Sequence, residues 1–96
     1  EQLAKCLSEL GNITRLRIFK LLVKAGQEGL NVGTIQEQLK VPGSTLSHHL
    51  TKLISADLIS QRRDGRILQC IANFSMLTSV VDELQDQCCV GVECKV

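Results

Sequence analysis

Apolar residues recur at helical spacing along most of the chain. Leu3, Leu7 and Leu10, with Cys6 beside them, form a stripe that ends at Gly11. Asn12 is placed to cap a second helix, in which Leu16, Phe19, Leu22 and Val23 point one way until Gly26 stops it. GQEGLN reads as a loop, and a short helix from about Val32 to Leu39 turns Ile35 and Leu39 inward. Pro42 then breaks the pattern, because it lacks a backbone donor and pushes Val41 out of the helical region. A fourth helix, from Ser44 to about Ala56, carries Leu46, Leu50, Leu53 and Ile54 on one face.

After Ala56 the period changes. Ile59 to Arg63 and Arg66 to Ala72 flank Asp64-Gly65, a strong short-range signal for a hairpin. Asn73 is placed to cap a last helix with Leu77, Val80, Val81 and Leu84 inward, and this helix delivers the chain to Cys88. Two helices across a tight, Gly-containing turn, followed by a hairpin, predict a mainly α fold with a β-hairpin wing, a winged helix-turn-helix. No internal repeat, low-complexity segment or second domain is visible. The expected organisation is a winged DNA-binding and dimerisation domain over residues 1–87 and a cysteine tail over residues 88–96.

Composition changes this picture in three ways. A chain of 96 residues buries only a small core, so a two-fold partner would add useful apolar burial. Lys20 and Lys24 interrupt the best apolar run, which excludes a membrane span. No secretory segment is visible, and a chain without an initiator Met is expected to have been trimmed; the expected location is the cytoplasm. The net charge of +1 argues for nothing, but its distribution does. Between residues 12 and 72 nine basic side chains stand against four acidic ones, while the two ends together are acidic. A basic middle of this kind fits an anionic partner.

The fourth helix supplies the chemistry for one. Opposite its apolar face lie Ser44, His48, Thr51, Lys52 and Ser55, with Thr45, Ser47 and His49 on the flanks. These side chains are short or donor-rich and include no carboxylate, as a helix entering the major groove of double-stranded DNA requires. Its first turn also offers free backbone N–H groups to a phosphate. Arg62, Arg63 and Arg66 sit at or beside the hairpin tip, within reach of an adjacent minor groove or backbone. Asp64 serves the turn itself. Neither histidine has the company of a metal ligand: His48 reads as a DNA-facing donor, His49 as a packing or positioning residue.

Five cysteines cannot complete an internal disulfide framework, and in a reducing compartment clustered thiols more often bind metals or sense redox state. Cys88, Cys89 and Cys94 gather in the last nine residues, whereas Cys6 and Cys70 fall on an apolar stripe and a strand, where buried thiols are common. No Cys-x-x-Cys is present and no base accompanies a nucleophile, so an enzyme is not expected, nor a catalytic cofactor. A winged module that binds protein rather than DNA is the remaining rival, and salt-independent or absent DNA binding would reveal it.

STLSHHLTKL followed by LISQRRDGR resembles the arsenic-repressor (ArsR/SmtB) family of winged-helix metalloregulators. Its S-x-x-S-x-H-L signature is matched by Ser44, Ser47, His49 and Leu50, and its R-x-G-R wing by Arg63, Gly65 and Arg66. Leu10 to Phe19 is similar to the opening of the family's second helix, although the usual His-Pro is Asn12-Ile13 here. The resemblance spans roughly residues 2–87. It implies a homodimer built by the first and last helices, with Leu3, Leu7, Leu10, Leu77, Val80, Val81 and Leu84 at the interface. It also implies an inverted-repeat operator, repressed until an inducer releases the protein.

Among the family's inducer sites, a Cys pair opening the third helix and histidines along the last helix are both missing. Cys88 and Cys89 at a helix end, with Cys94 after a short loop, resemble the arsenite-responsive members with a C-terminal three-thiol site. Three thiolates suit As(III) or Sb(III), whereas zinc would need a fourth ligand. A thiol redox or persulfide switch, another thiophilic metal (Hg, Cd or Zn) and an inert tail remain open.

Overall fold

The computed structural model describes residues 1–92. Cys94, expected as the third thiol ligand, lies outside the described residues.

Helix α1 (Gln2–Leu10) buries only Cys6 fully and ends at Gly11, whose N–H donates to the Ser8 carbonyl. Asn12 then caps α2 (Ile13–Ala25), its side-chain oxygen accepting from the backbone N–H groups of Thr14 and Arg15 at 2.9 and 3.1 Å. This satisfies two of the donors that every helix start leaves open. Asn31 and Asn73 repeat the device for α3 (Val32–Leu39) and α5 (Phe74–Gln85), accepting from Thr34 and Met76. Lys40, in the left-handed conformation, ends α3, and Pro42 precedes α4 (Gly43–Ser55). Helices α3 and α4 thus form the expected helix-turn-helix.

The hairpin is present, displaced by one residue from its expected place. Strands β2 (Ile59–Asp64) and β3 (Ile67–Ala72) pair antiparallel, with Asp64 opposite Ile67. The turn residues are therefore Gly65 and Arg66, with Gly65 at φ +67°, as a two-residue loop led by glycine requires. A further strand, β1 (Leu30–Asn31), lies in the stretch expected to be loop and pairs with β3, giving the order β1-β3-β2. Two residues show no periodicity, and only the approach of β3 makes them a strand.

The core lies between α2, α3, α4 and the inner face of the sheet. Ile18, Leu22, Ile35, Leu46, Leu53 and Leu58 are fully buried there. Leu16 and Ile54, expected inward, are both more than a third exposed. Phe19 and Leu22 are buried as expected, and Ile18 joins them in place of Leu16 on the side of α2 that its neighbours cover. Helix α5 stops at Gln85, short of the expected Cys88, and Asp86 to Cys89 form turns in which Gln87 and Cys89 take positive φ. Of α5 only Val80 is buried, while Val81 and Leu84 are 43% and 59% exposed. Among the described residues no helix is long and apolar enough to cross a membrane.

Candidate nucleic-acid interface

Leu46, Leu50 and Leu53 anchor α4 in the core and so fix which face it turns outward. Ser44, Thr45, Ser47, His48 and Thr51 are exposed on that outer face, and Lys52 is half-buried beside them. Thr51 donates to the Ser47 carbonyl at 3.0 Å and Ser55 to the Lys52 carbonyl at 2.7 Å. Their hydroxyl protons are thereby engaged by the helix itself, which leaves the earlier residues as the better donors to an outside partner. Pro42 gives no side-chain cap, so the first-turn N–H groups of α4 point outward unmet by a side chain.

The wing's alternation separates its three arginines. Ile59 is buried, and Gln61 donates to the Sγ of buried Cys70 at 3.6 Å, so Ile59, Gln61 and Arg63 share the inner, α4-side face. Arg62 lies on the opposite face, beside Ser60 and Phe74. Arg66, at the tip, shares with Ser47, Thr51, Gln61 and Ile67 an open groove of about 700 Å³ between α4 and the wing. Arg63 and Arg66 are therefore brought to the recognition-helix side, and Arg62 is turned away from it.

His49 faces inward, as expected, and is the one buried polar side chain among the described residues. Its Nδ1 lies 3.2 Å from Arg15 Nη1. A guanidinium only donates, so Nδ1 must accept, which assigns a neutral ring with its proton on Nε2. Burial, then the Arg15 charge and the neighbouring His48, hold the His49 pKa below the ordinary histidine value. Arg15 Nε in turn donates to the Glu9 carbonyl at 2.7 Å and faces the Glu9 carboxylate at 3.4 Å. The sequence gives no sign of this relay, because its three members lie on three helices and share no spacing.

The helix-turn-helix domain family matches residues 10–62, more than half of the chain. An uncharacterized HTH-type transcriptional regulator of Methanocaldococcus jannaschii is 38% identical over 65 residues, which cover 68% of this chain and 71% of that protein. The putative arsenical resistance operon repressor of Halobacterium salinarum is 42% identical over 60 residues, 62% of this chain but only 46% of that protein. A solved winged helix-turn-helix DNA-binding domain of Mycobacterium bovis, homodimeric and described as a possible ArsR-family regulator, superposes with a TM-score of 0.69 at 26% identity. That likeness covers 90% of this chain and 80% of the other.

The chain belongs to the ArsR family of winged-helix transcriptional regulators.

Membership gives the polar face of α4 its context, since helix-turn-helix regulators bind DNA and are not enzymes. Two further features of this ArsR-family chain lie away from that face. Leu10, Leu16, Phe19, Val23 and Leu77 line an apolar groove of about 360 Å³ between α1, α2 and α5, edged by Lys20 and Lys24. Among the expected interface residues, Leu7, Val81 and Leu84 are exposed, Leu3, Leu10 and Leu77 are partly buried, and Val80 is committed to the core of its own protomer. Beyond α5, the exposed Cys88 and Cys89 bring their Sγ atoms within 3.3 Å of each other. Cys6 and Cys70 are buried, and burial pushes the Cys70 thiol pKa up against a smaller opposing effect of the Gln61 hydrogen bond. Among the described residues no group of three or more His, Cys, Asp or Glu is arranged to hold a metal ion.

Proposed function

We propose that this ArsR-family repressor acts as a homodimer on an inverted-repeat operator. Ser44, Thr45, Ser47, His48 and Lys52 of α4 meet the major groove, while Arg63 and Arg66 of the wing meet the flanking backbone or minor groove. The observation that carries this reading is the exposed, carboxylate-free polar face of α4, whose Ser47 and Thr51 share an open groove with Arg66 of the wing. Two-fold symmetry of the protein entails two-fold symmetry of the site.

The inducer is As(III) or Sb(III), held by Cys88, Cys89 and Cys94 within one protomer. The exposed thiol pair supports this: bonds of about 2.3 Å to a metal spanning the 3.3 Å between the sulfurs subtend roughly 90°. That angle suits a pyramidal trivalent ion better than a tetrahedral one. Binding of the ion at the tail would reshape the end of α5, whose apolar side lies at the interface, and so change the spacing of the two α4 helices. Operator affinity then falls because the inducer favours one of two dimer states, by about 5- to 150-fold for ordinary coupling.

The test is fluorescence anisotropy on labelled duplex DNA, titrated with As(III), Sb(III), Zn(II), Cd(II) and peroxide. Release by As(III) or Sb(III), retained binding in Cys88→Ser and loss of release in that variant are the expected results. Release by peroxide alone would replace the metal site with a redox switch. A Cys88→Ser variant that no longer binds DNA would overturn the division between tail and reading head.

A further inference from the structure

Helix α1 grips α4 at two places. At its start, Gln2 Nε2 donates to the Ala56 carbonyl at 2.9 Å, and the buried Cys6 thiol donates to the same oxygen at 3.4 Å. At its end, Glu9 holds Arg15 through both its carbonyl and its carboxylate, and Arg15 donates to His49. Ala56 closes α4 and His49 lies two turns earlier, about 10 Å along the axis. Two attachments that far apart constrain direction as well as position, which a single contact does not.

The second attachment is the unusual one. The one buried polar side chain and the one ion pair among the described residues belong to the same chain of contacts. Both partners of the ion pair are largely shielded, with side-chain exposures of 13% and 15%. An apolar residue at position 49 would fill the same space. A histidine there supplies a directional acceptor on the inner side of the helix whose outer side carries His48.

We propose that Arg15 is a positioning residue that, through His49, makes the pose of α4 depend on α1. This rests on the reading of α4 as the DNA-contacting helix and of α1 as part of the dimer. Through this joint a shift of α1 at the interface is passed to the reading head without any contact between inducer and DNA. The joint works only while His49 is neutral: a proton on Nδ1 would face the guanidinium and remove the acceptor. The charged and titratable groups around His49 are Arg15 on α2, His48 on its own helix and, behind Arg15, Glu9 on α1.

The experiment uses the full chain and a labelled duplex recovered by selection from a random-sequence pool. Arg15→Met and His49→Leu should each weaken binding roughly 5-fold or more, and the double variant should be no weaker than either single one. Arg15→Met should leave the slope of affinity against salt unchanged, because Arg15 acts through His49 and not on phosphate. His49→Asn, which keeps an acceptor near the Nδ1 position, should retain most of the affinity.

In a His48→Gln background, affinity should fall on acidification below the ordinary histidine range. His49→Asn should abolish that fall, an effect that packing alone would not produce. Nitrogen-15 spectra of the unaltered chain should show His49 protonated on Nε2. Additive losses, a salt slope reduced by Arg15→Met, an unchanged acid limb in His49→Asn, or a proton on Nδ1 would each overturn the joint. If the unaltered chain bound no duplex, the DNA-binding reading would fall and take the joint with it. Binding that persists with additive losses would sink the joint alone.

Discussion

A β-carbon at position 29 would collide with the Cys70 carbonyl oxygen, and Gly29 also sits at φ +71°. Both constraints come from β1, which can lie beside β3 only if the backbone before it passes this close. Gly65 has the positive φ without the crowding, since nothing lies near its missing side chain. Gly29→Ala should therefore cost about 2–3 kcal/mol, through strain and displaced backbone, and Gly65→Ala about 1 kcal/mol. Urea unfolding followed by far-UV circular dichroism reads both, as the chain has no Trp or Tyr. Equal losses would show that the β1–β3 approach yields easily.

At this scale the sequence was legible where a residue's own chemistry dictates its place. Asn12 and Asn73 before their apolar runs, and Pro42 at the break, are such residues. Gly29 and Arg15 were not legible, because what constrains each is a distant residue, Cys70 or His49.

Between elements, the wing shows how a one-residue detail redistributes function. The motif places Arg62, Arg63 and Arg66 together, but strand alternation puts Arg62 on the face away from α4. Arg63→Ala and Arg66→Ala should each weaken DNA binding and lower the salt slope by about 0.9. Arg62→Ala should change neither by as much. Three equal effects in a salt titration would mean that DNA wraps both faces of the wing. Helices α1 to α5 were legible from spacing because each is long enough to show a period. Strand β1 was not, and the end of α5 fell early because positive-φ turns follow it where apolar spacing seemed to run on.

The described molecule extends 58 × 23 × 20 Å with a radius of gyration of 15.8 Å, against about 12–13 Å for a compact domain of this length. On α5, Val81 and Leu84 form an exposed apolar stripe facing outward from the protomer's core. A second copy covering this stripe would bury two Leu84 side chains per dimer, one from each protomer. Leu84→Asp should then weaken dimerisation by about 3–6 kcal/mol, two buried leucines at ordinary burial values. Sedimentation should show monomers at concentrations where the unaltered chain is dimeric, with helix content preserved. A dimer that survived the change would put the interface elsewhere, on α1 or the groove beside Lys20 and Lys24.

The sequence by itself determined the helices, the caps Asn12 and Asn73, the break at Pro42, the hairpin, the polar face of α4 and the cluster of tail thiols. Each of these is written in spacing or in the conformational limits of single residues. Only the tertiary structure decided the β1 strand, the division of the wing arginines, the commitment of Val80 to its own core and the line from Glu9 through Arg15 to His49. These depend on which distant residues meet, and a local pattern carries no information about a partner dozens of positions away.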